Sequence, residues 1–247
     1  MIDDLVDLKQ RFDKIQKMGW IETMREGTTG IGYTFETLIG KQEEDFPIPD
    51  FKSIEIKTRF KNAKEDMTLF NATPDGDFLY PMKRIYDDFG FYTKNNPNNK
   101  SFYAKINTNK KRINSKFRFQ LYIDRDNKKI RLLAFDNQNR MIDPKISWSF
   151  DILEEKLYRK LKYLAFIKAD CKYIYGKQHF HYYSIKFYML KNFEKFLKLI
   201  EEGIVSTTFM IGTYKTGIKK GMMNSHGVGF DIAEENLERL FIKVCEF

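Results

Sequence analysis

Residues 47–58 read Pro-Ile-Pro-Asp-Phe-Lys-Ser-Ile-Glu-Ile-Lys-Thr, and they constrain the fold more than any other stretch of the chain. Ile54 and Ile56 alternate with Glu55 and Lys57, the period-two pattern of a half-buried strand. Two residues along a strand span roughly 6.6 Å and share a face, so the Glu55 carboxylate and the Lys57 ammonium emerge as neighbours. Asp50 ends a Pro-rich turn just upstream and can reach that face. Two carboxylates and a lysine at one strand end make a site for a hard divalent cation and a water molecule. Oxygen donors suit Mg²⁺, which keeps several waters and favours phosphate as a co-ligand; Mn²⁺ is the expected substitute. Such a metal polarises a phosphoryl oxygen and lowers the pKa of a bound water. The lysine would hold the attacking water or offset charge building on the phosphate.

The surrounding chain reads as a mixed α/β protein. Its 247 residues, 42 % apolar and 16 % aromatic, can bury a sizeable core in one large domain or two lobes. Leu5, Leu8, Phe12 and Ile15 mark an amphipathic helix stopped near Gly19. A second helix, over about 33–44, follows Thr28, Thr29 and two glycines. After the 54–58 strand come a strand near 67–71 and a helix over 79–89, with Pro81 tolerable in its first turn. Residues 93–101 read as a loop. The alternation of Phe117, Phe119, Leu121 and Ile123, a turn at Asp124–Asn127 and the run 130–135 predict a hairpin. A helix over 151–162 is expected, with Asp151 and Glu154 as a capping box, then strands near 163–169 and 179–188. A helix over 192–202 ends at Gly203; the strand 204–213, a basic glycine-punctuated loop and a strand near 228–232 follow.

Charge narrows the partners. Lys and Arg number 43 against 34 Asp and Glu, a net charge of +9, which favours a polyanion. No apolar run approaches the ~18 residues of a spanning helix, so no membrane partner is expected. The N-terminus lacks the basic start and apolar core of a signal peptide. Cys171 and Cys245 fit reduced thiols in a cytoplasmic protein.

Asp50, Glu55 and Lys57 together form D-x4-E-x-K, the pattern of the restriction-endonuclease-like nucleases. The stretch Gly19-Trp20-Ile21-Glu22-Thr23 and the stretch Gly30-Ile31-Gly32-Tyr33-Thr34-Phe35-Glu36 precede it. Thr68-Leu69-Phe70, Trp148-Ser149-Phe150, Lys160-Leu161-Lys162-Tyr163, Ile211-Gly212, Lys219-Lys220-Gly221 and His226-Gly227 follow in order. Together these segments resemble the MvaI/BcnI branch of the MutH-like restriction endonucleases over nearly the whole chain. The resemblance implies a MutH-like mixed β-sheet flanked by helices, two-lobed with a DNA cleft, as a single nuclease domain over 1–247. The catalytic centre would lie within about 20–75 and the base-reading loop within about 205–232. It implies a type II, Mg²⁺-dependent endonuclease acting as a monomer on double-stranded DNA with a short specific site, leaving 5′-phosphate and 3′-hydroxyl ends. A DNA methyltransferase would be its functional, not physical, partner. Asp50 and Glu55 would bind the metal with the carbonyl oxygen of Ile56, Lys57 would position the water, and Glu36 would be an accessory carboxylate. A MutH-like nicking repair enzyme and a catalytically silent DNA-binding module are the alternatives.

Several residues have plainer explanations. Gly30-Ile31-Gly32 fits a tight turn better than a phosphate cradle. His179, His181 and Cys171 fit no common zinc spacing. Basic residues crowd 100–131; among them Lys110, Lys111 and Arg112 are the candidates for phosphate contact. The loop 213–229 carries Tyr214, Lys215, Lys219, Lys220, Asn224 and His226 among four glycines, so its backbone can approach DNA and its donors can reach base edges. His226 matches the family's base-reading position. Met210 and Asp231 stand where the family pattern places arginines, the usual bidentate readers of guanine. A recognition sequence departing from the CC-N-GG type is therefore expected, with Asp231 accepting from a cytosine or adenine amino group.

Overall fold

The computed structural model describes residues 2–41, 49–77, 80–94 and 96–247. In chain order its main elements are α1 (Ile2–Lys17), β1 (Ile21–Glu22), α2 (Gly30–Leu38), β2 (Ile54–Phe60), β3 (Met67–Asn71), α3 (Tyr80–Arg84), β4 (Phe91–Thr93), β5 (Asn96–Ile106), β6 (Lys111–Arg112), β7 (Arg118–Asp124), β8 (Lys129–Phe135), β9 (Met141–Ser149), α4 (Phe150–Leu161), β10 (Tyr163–Ile174), β11 (Lys177–Leu190), α5 (Phe193–Glu201), β12 (Ser206–Thr213), β13 (Met223–Ile232), α6 (Leu237–Leu240) and β14 (Phe241–Glu246). The chain folds as two compact units, each drawn from separated stretches: Met1–Glu65, Lys156–Lys191 and Glu238–Phe247 in the first, Asp66–Glu155 and Asn192–Leu237 in the second. Among the described residues no helix is long and apolar enough to cross a membrane.

The first unit is built on a five-stranded mixed sheet. β2 runs parallel to β10, β10 and β11 form a long antiparallel hairpin, and β1 and β14 both pair with β11. Leu8, Phe12 and Ile15 repeat at helical spacing along α1, and Ile31, Phe35 and Ile39 do so at α2. These two apolar stripes cover Ile54, Ile56, Ala165, Ile167, Phe180, Tyr182 and Ile185 of the sheet. Burying each such large side chain contributes about 1.5–3 kcal/mol. Tyr182 is buried with its one polar atom satisfied: its hydroxyl donates to the Ile31 carbonyl at 2.8 Å. Asp3 and Asp4 in the first turn of α1, and Lys14 and Lys17 in the last, complement the helix dipole. Gly19, at φ 70°, turns the chain out of α1.

The second unit holds a five-stranded sheet in the order β3-β13-β12-β5-β4 and a four-stranded meander, β6-β7-β8-β9. Their core is aromatic. Phe70, Phe196 and Phe230 pack with ring centroids 5.2–5.7 Å apart, and Trp148 meets Phe230 edge-on while its indole N–H donates to the Ala72 carbonyl at 2.9 Å. Asn192 caps α5 by accepting the Lys195 N–H, and Gly203 at φ 73° follows its end.

Several expectations need correction. The second helix spans Gly30–Leu38, earlier and shorter than 33–44, because Gly40 turns away at φ 85°. Residues 42–44 of that expectation, and Pro47 and Ile48 of the Pro-rich turn, lie outside the described residues. The expected 93–101 loop is mostly strand: Phe91 pairs with Ser101, and the same strand continues through Phe102 to pair with β12. Pairing with β4, Phe91 to Ser101 and Thr93 to Asn96, overrides the weak strand propensity of its asparagines. The expected 213–229 loop shrinks to 214–222, since β13 begins at Met223 and pairs Asn224 with Gly212 and Ser225 with Ile211. Helix α4 starts at Phe150, so Asp151 lies in its first turn and does not cap it. The strand β2 is fully buried at its start, where Glu55 has 0 % exposure, and half-buried from Lys57 to Phe60. Strands β9 and β14 were not anticipated.

Candidate active site

Glu36, Asp50, Glu55, Ile56 and Lys57 line one cavity of about 380 Å³ in the first unit, bringing together the residues that the D-x4-E-x-K pattern and the α2 segment single out. β2 supplies Glu55, Ile56 and Lys57 and, among the described strands, pairs with β10. At its other edge the Ile56 N–H donates to Asp50 Oδ2 at 3.0 Å. The N–H and C=O of one strand residue point to the same edge, so the Ile56 carbonyl faces the Asp50 side as well. Glu36 comes from α2, which lies close on β2 because Gly32 has no side chain. A Cβ there would sit 3.3 Å from Thr58 Oγ1 and 3.6 Å from Glu36 Oε1.

The charges are tightly interlocked. Lys57 Nζ lies 2.8 Å from Glu55 Oε1, and Lys160 Nζ, from α4, lies 3.4 Å from the same oxygen. Lys41 ion-pairs with Asp50 and with Glu36, 3.2 Å from Glu36 Oε2. Burial pushes the Glu55 carboxyl above its ordinary value, opposed by Lys57, reinforced by the negative charge of Asp50 and opposed again by Lys160. Burial also raises Glu36, and Asp50 adds to it against Lys41. For Lys41, burial works against the charge, but Asp50 and Glu36 prevail and its pKa rises.

The donor set fits a hard cation. Both carboxylate oxygens of Glu55 are buried; Oε1 faces the Lys57 and Lys160 ammoniums, and Oε2 accepts no hydrogen bond. A buried acceptor left unsatisfied costs about 1–3 kcal/mol, more when charged, and a metal ion would remove that cost. Among the described residues no three His, Cys, Asp or Glu side chains cluster closely enough to hold a metal by themselves. Two carboxylates, a backbone carbonyl and water are the set that remains, and Mg²⁺ accepts such a set.

Lys41 and Lys160 escaped the sequence reading as members of this site. Lys160 lies 105 residues beyond Glu55 in the chain, and only the parallel pairing of β2 with β10 brings the end of α4 to it. Arg25, Thr28, Thr29 and Tyr33 also line the cavity; the Arg25 guanidinium lies 3.7 Å over the Tyr33 ring. Gly30 is required by packing, since a Cβ would collide with the Arg25 carbonyl and lie 2.7 Å from Thr23 Oγ1. A larger cavity of about 490 Å³ lies between residues 22–27 and the tip of the β10–β11 hairpin; of its two acids, Glu22 and Glu26, Glu22 is paired with Lys177 at 2.5 Å.

The candidate DNA-binding residues lie in the second unit. Lys215, Lys219 and Lys220 are exposed on the 214–222 loop, and Lys219 Nζ lies 5.7 Å from the Tyr214 ring centroid. Asn224 and His226 sit on β13 with Asn224 Nδ2 3.2 Å from His226 Nε2, and His226 is exposed. Asp231 is different. It is 5 % exposed, its Oδ1 accepts from Thr68 Oγ1 at 2.6 Å and its Oδ2 from Thr208 Oγ1. Its carboxylate ties β3, β12 and β13 together, so the expectation of an open acceptor for a base is not met. Lys110 contacts Asn139 at 2.8 Å and lies over Phe135, and Arg112 donates to Ser115 O and Asn137 Oδ1. Lys111 is exposed. Elsewhere in the basic stretch, Lys105, Arg125, Lys129 and Arg131 pair with acids, so much of it is a solvated, ion-paired face.

The chain matches the model of the MvaI/BcnI restriction endonuclease family over residues 9–241. It is similar to the restriction endonuclease MvaI solved in complex with cognate DNA substrate, at 33 % identity and a TM-score of 0.86, covering 96 % of this chain and 95 % of that one. It is also similar to MvaI solved in the absence of DNA, at 32 % identity and a TM-score of 0.62, covering 98 % of this chain and 97 % of that one. No curated protein matches the chain significantly.

Proposed function

The chain belongs to the MvaI/BcnI restriction endonuclease family and is a type II restriction endonuclease; from that premise we propose that it hydrolyses both strands of DNA at a short specific site in a Mg²⁺-dependent reaction. Mn²⁺ would substitute. The observation that carries this reading is the buried Glu55 carboxylate, whose Oε2 accepts no hydrogen bond, beside Asp50 and the Ile56 edge of the strand.

Asp50, Glu55 and the Ile56 carbonyl would hold the metal. When bound, Mg²⁺ supplies Lewis-acid polarisation of a phosphoryl oxygen and a bound water of lowered pKa. The protein's own part is positional. Lys57 shares the strand face with Glu55, and its ammonium orients the attacking water and offsets charge on the phosphate. Lys41 holds Asp50 and Glu36 in register, and Glu36 serves as an accessory carboxylate. In-line attack on phosphorus leaves 5′-phosphate and 3′-hydroxyl ends. Base reading falls to the 214–222 loop and to Asn224 and His226, with phosphates contacted by Lys215, Lys219 and Lys220 and by Lys110, Lys111 and Arg112. The enzyme would act as a cytoplasmic monomer that cuts one strand and reorients for the other, with a DNA methyltransferase protecting its sites.

Run-off sequencing of plasmid cleaved by the purified protein in Mg²⁺ tests this. Double-strand breaks at one short sequence, absent in EDTA, are expected. Nicks confined to one strand would favour a strand-nicking enzyme, and unbroken plasmid in both Mg²⁺ and Mn²⁺ would overturn the nuclease reading.

A further inference from the structure

The last turns of α4 carry two lysines that the catalytic reading does not use. Lys156 and Lys160 are four residues apart and therefore share a face, beside the buried stripe Leu157 and Leu161. Lys160 reaches the cleavage cavity and ends 3.4 Å from Glu55 Oε1. Lys156, one turn away, is half-buried and makes no ion pair or hydrogen bond among the described residues. Burial, and then the Arg159 and Lys160 cations on the same helix, lower its pKa. A half-buried ammonium beside other cations is unfavourable in the free protein. An anion seated across the two lysines removes that penalty.

We propose that Lys156 and Lys160 form a phosphate-binding strip that grips the DNA backbone beside the cleavage cavity, continuing the track of the cleaved strand along α4. The inference rests on the nuclease reading above and adds a subsite to it. The strip reads no bases, because an ammonium on a phosphate carries no sequence information. It neutralises backbone charge and fixes where the strand enters the cavity. The two lysines differ in duty: Lys160 shares its charge between Glu55 and the strand, whereas Lys156 has no other partner to serve.

The test is binding of a short duplex of unrelated sequence in EDTA, measured over a range of salt. Each phosphate contact contributes about 0.9 to the log–log salt slope. Lys156→Gln should flatten the slope by about one and weaken binding roughly tenfold near 0.1 M salt. Lys156→Arg should keep the wild-type slope. Lys243→Gln removes the same charge from an exposed lysine already paired with Glu246 at 3.3 Å, and should leave the slope unchanged. Lys156→Met keeps the aliphatic stem and gives the same reading if the Gln variant does not fold, as judged by its melting transition. A slope unchanged in Lys156→Gln or Met, or lowered equally in Lys243→Gln, would overturn the proposal. The nuclease reading is checked separately: if Asp50→Ala loses cleavage while the Lys156 slope is unchanged, only the strip falls.

Discussion

Asp50, Glu55 and Lys57 do different work although they share one cavity. Glu55 is inaccessible to solvent, Asp50 is clamped by the Ile56 N–H and Lys41, and Lys57 is partly open. Replacing any of the three by Ala should abolish cleavage while specific binding to DNA survives. A single electrostatic stabiliser is worth about 10²–10³ in rate, and a metal ligand more. Near-normal turnover by Lys57→Ala or Asp50→Ala in Mg²⁺ would refute the assignment. His226 makes a different case. It is exposed on a strand and touches Asn224, so its ring is free to donate to a base edge. His226→Ala should lose about 1–3 kcal/mol of discrimination at one base pair, with a smaller change in non-specific affinity; cleavage rates on a set of single-substitution sites measure it. Discrimination unchanged at every position would move the reading to Lys215 or Asn224.

At the scale of elements, the site depends on how α2 is seated on β2. The loop before α2 folds back so closely that Gly30 touches the Arg25 carbonyl and Thr23, and Gly32 faces Thr58 and Glu36. Gly30→Ala should therefore destabilise the protein by about 1–3 kcal/mol through overpacking, and displace Glu36 from the cavity. Thermal melting measures the first effect and cleavage rate the second. A variant as stable and active as the parent would show that the 23–29 loop can give way. A different element, α4, bears on why Glu55 is buried where the alternating pattern predicts a solvated face. The end of α4 brings Lys160 to the Glu55 side of β2, where the strand's first three residues are buried.

For the whole molecule, charge is the relevant property. A net charge of +9 predicts DNA affinity that falls steeply with salt, by about 0.9 log units per log unit of salt for each phosphate neutralised. Replacing Lys110, Lys111 and Arg112 together by Gln should weaken binding about equally on cognate and unrelated DNA. The loss should be less than three full contacts' worth, because Lys110 and Arg112 already serve Asn139, Ser115 and Asn137. Titrations of both duplexes at several salt concentrations check this; an affinity independent of salt would count against a DNA-binding role for the basic excess.

The sequence by itself determined the strand that carries Glu55 and Lys57, the family and most of the helices. Those features are written in local spacing: Ile54 to Lys57 alternate within four residues, and Leu8, Phe12 and Ile15 repeat within two turns of one helix. Asn192 and Gly203 bracket α5 in the same local way. Tertiary structure decided what local spacing does not encode. The ladder with β4 made strand of the Asn-rich 96–101 segment, and the ladder between β12 and β13 shortened the basic loop. Long-range packing also brought Lys160 to Glu55, and turned Asp231 inward onto Thr68 and Thr208. Each depends on which strands become neighbours, and that choice is set by burial of the whole apolar surface, which no window of the sequence contains.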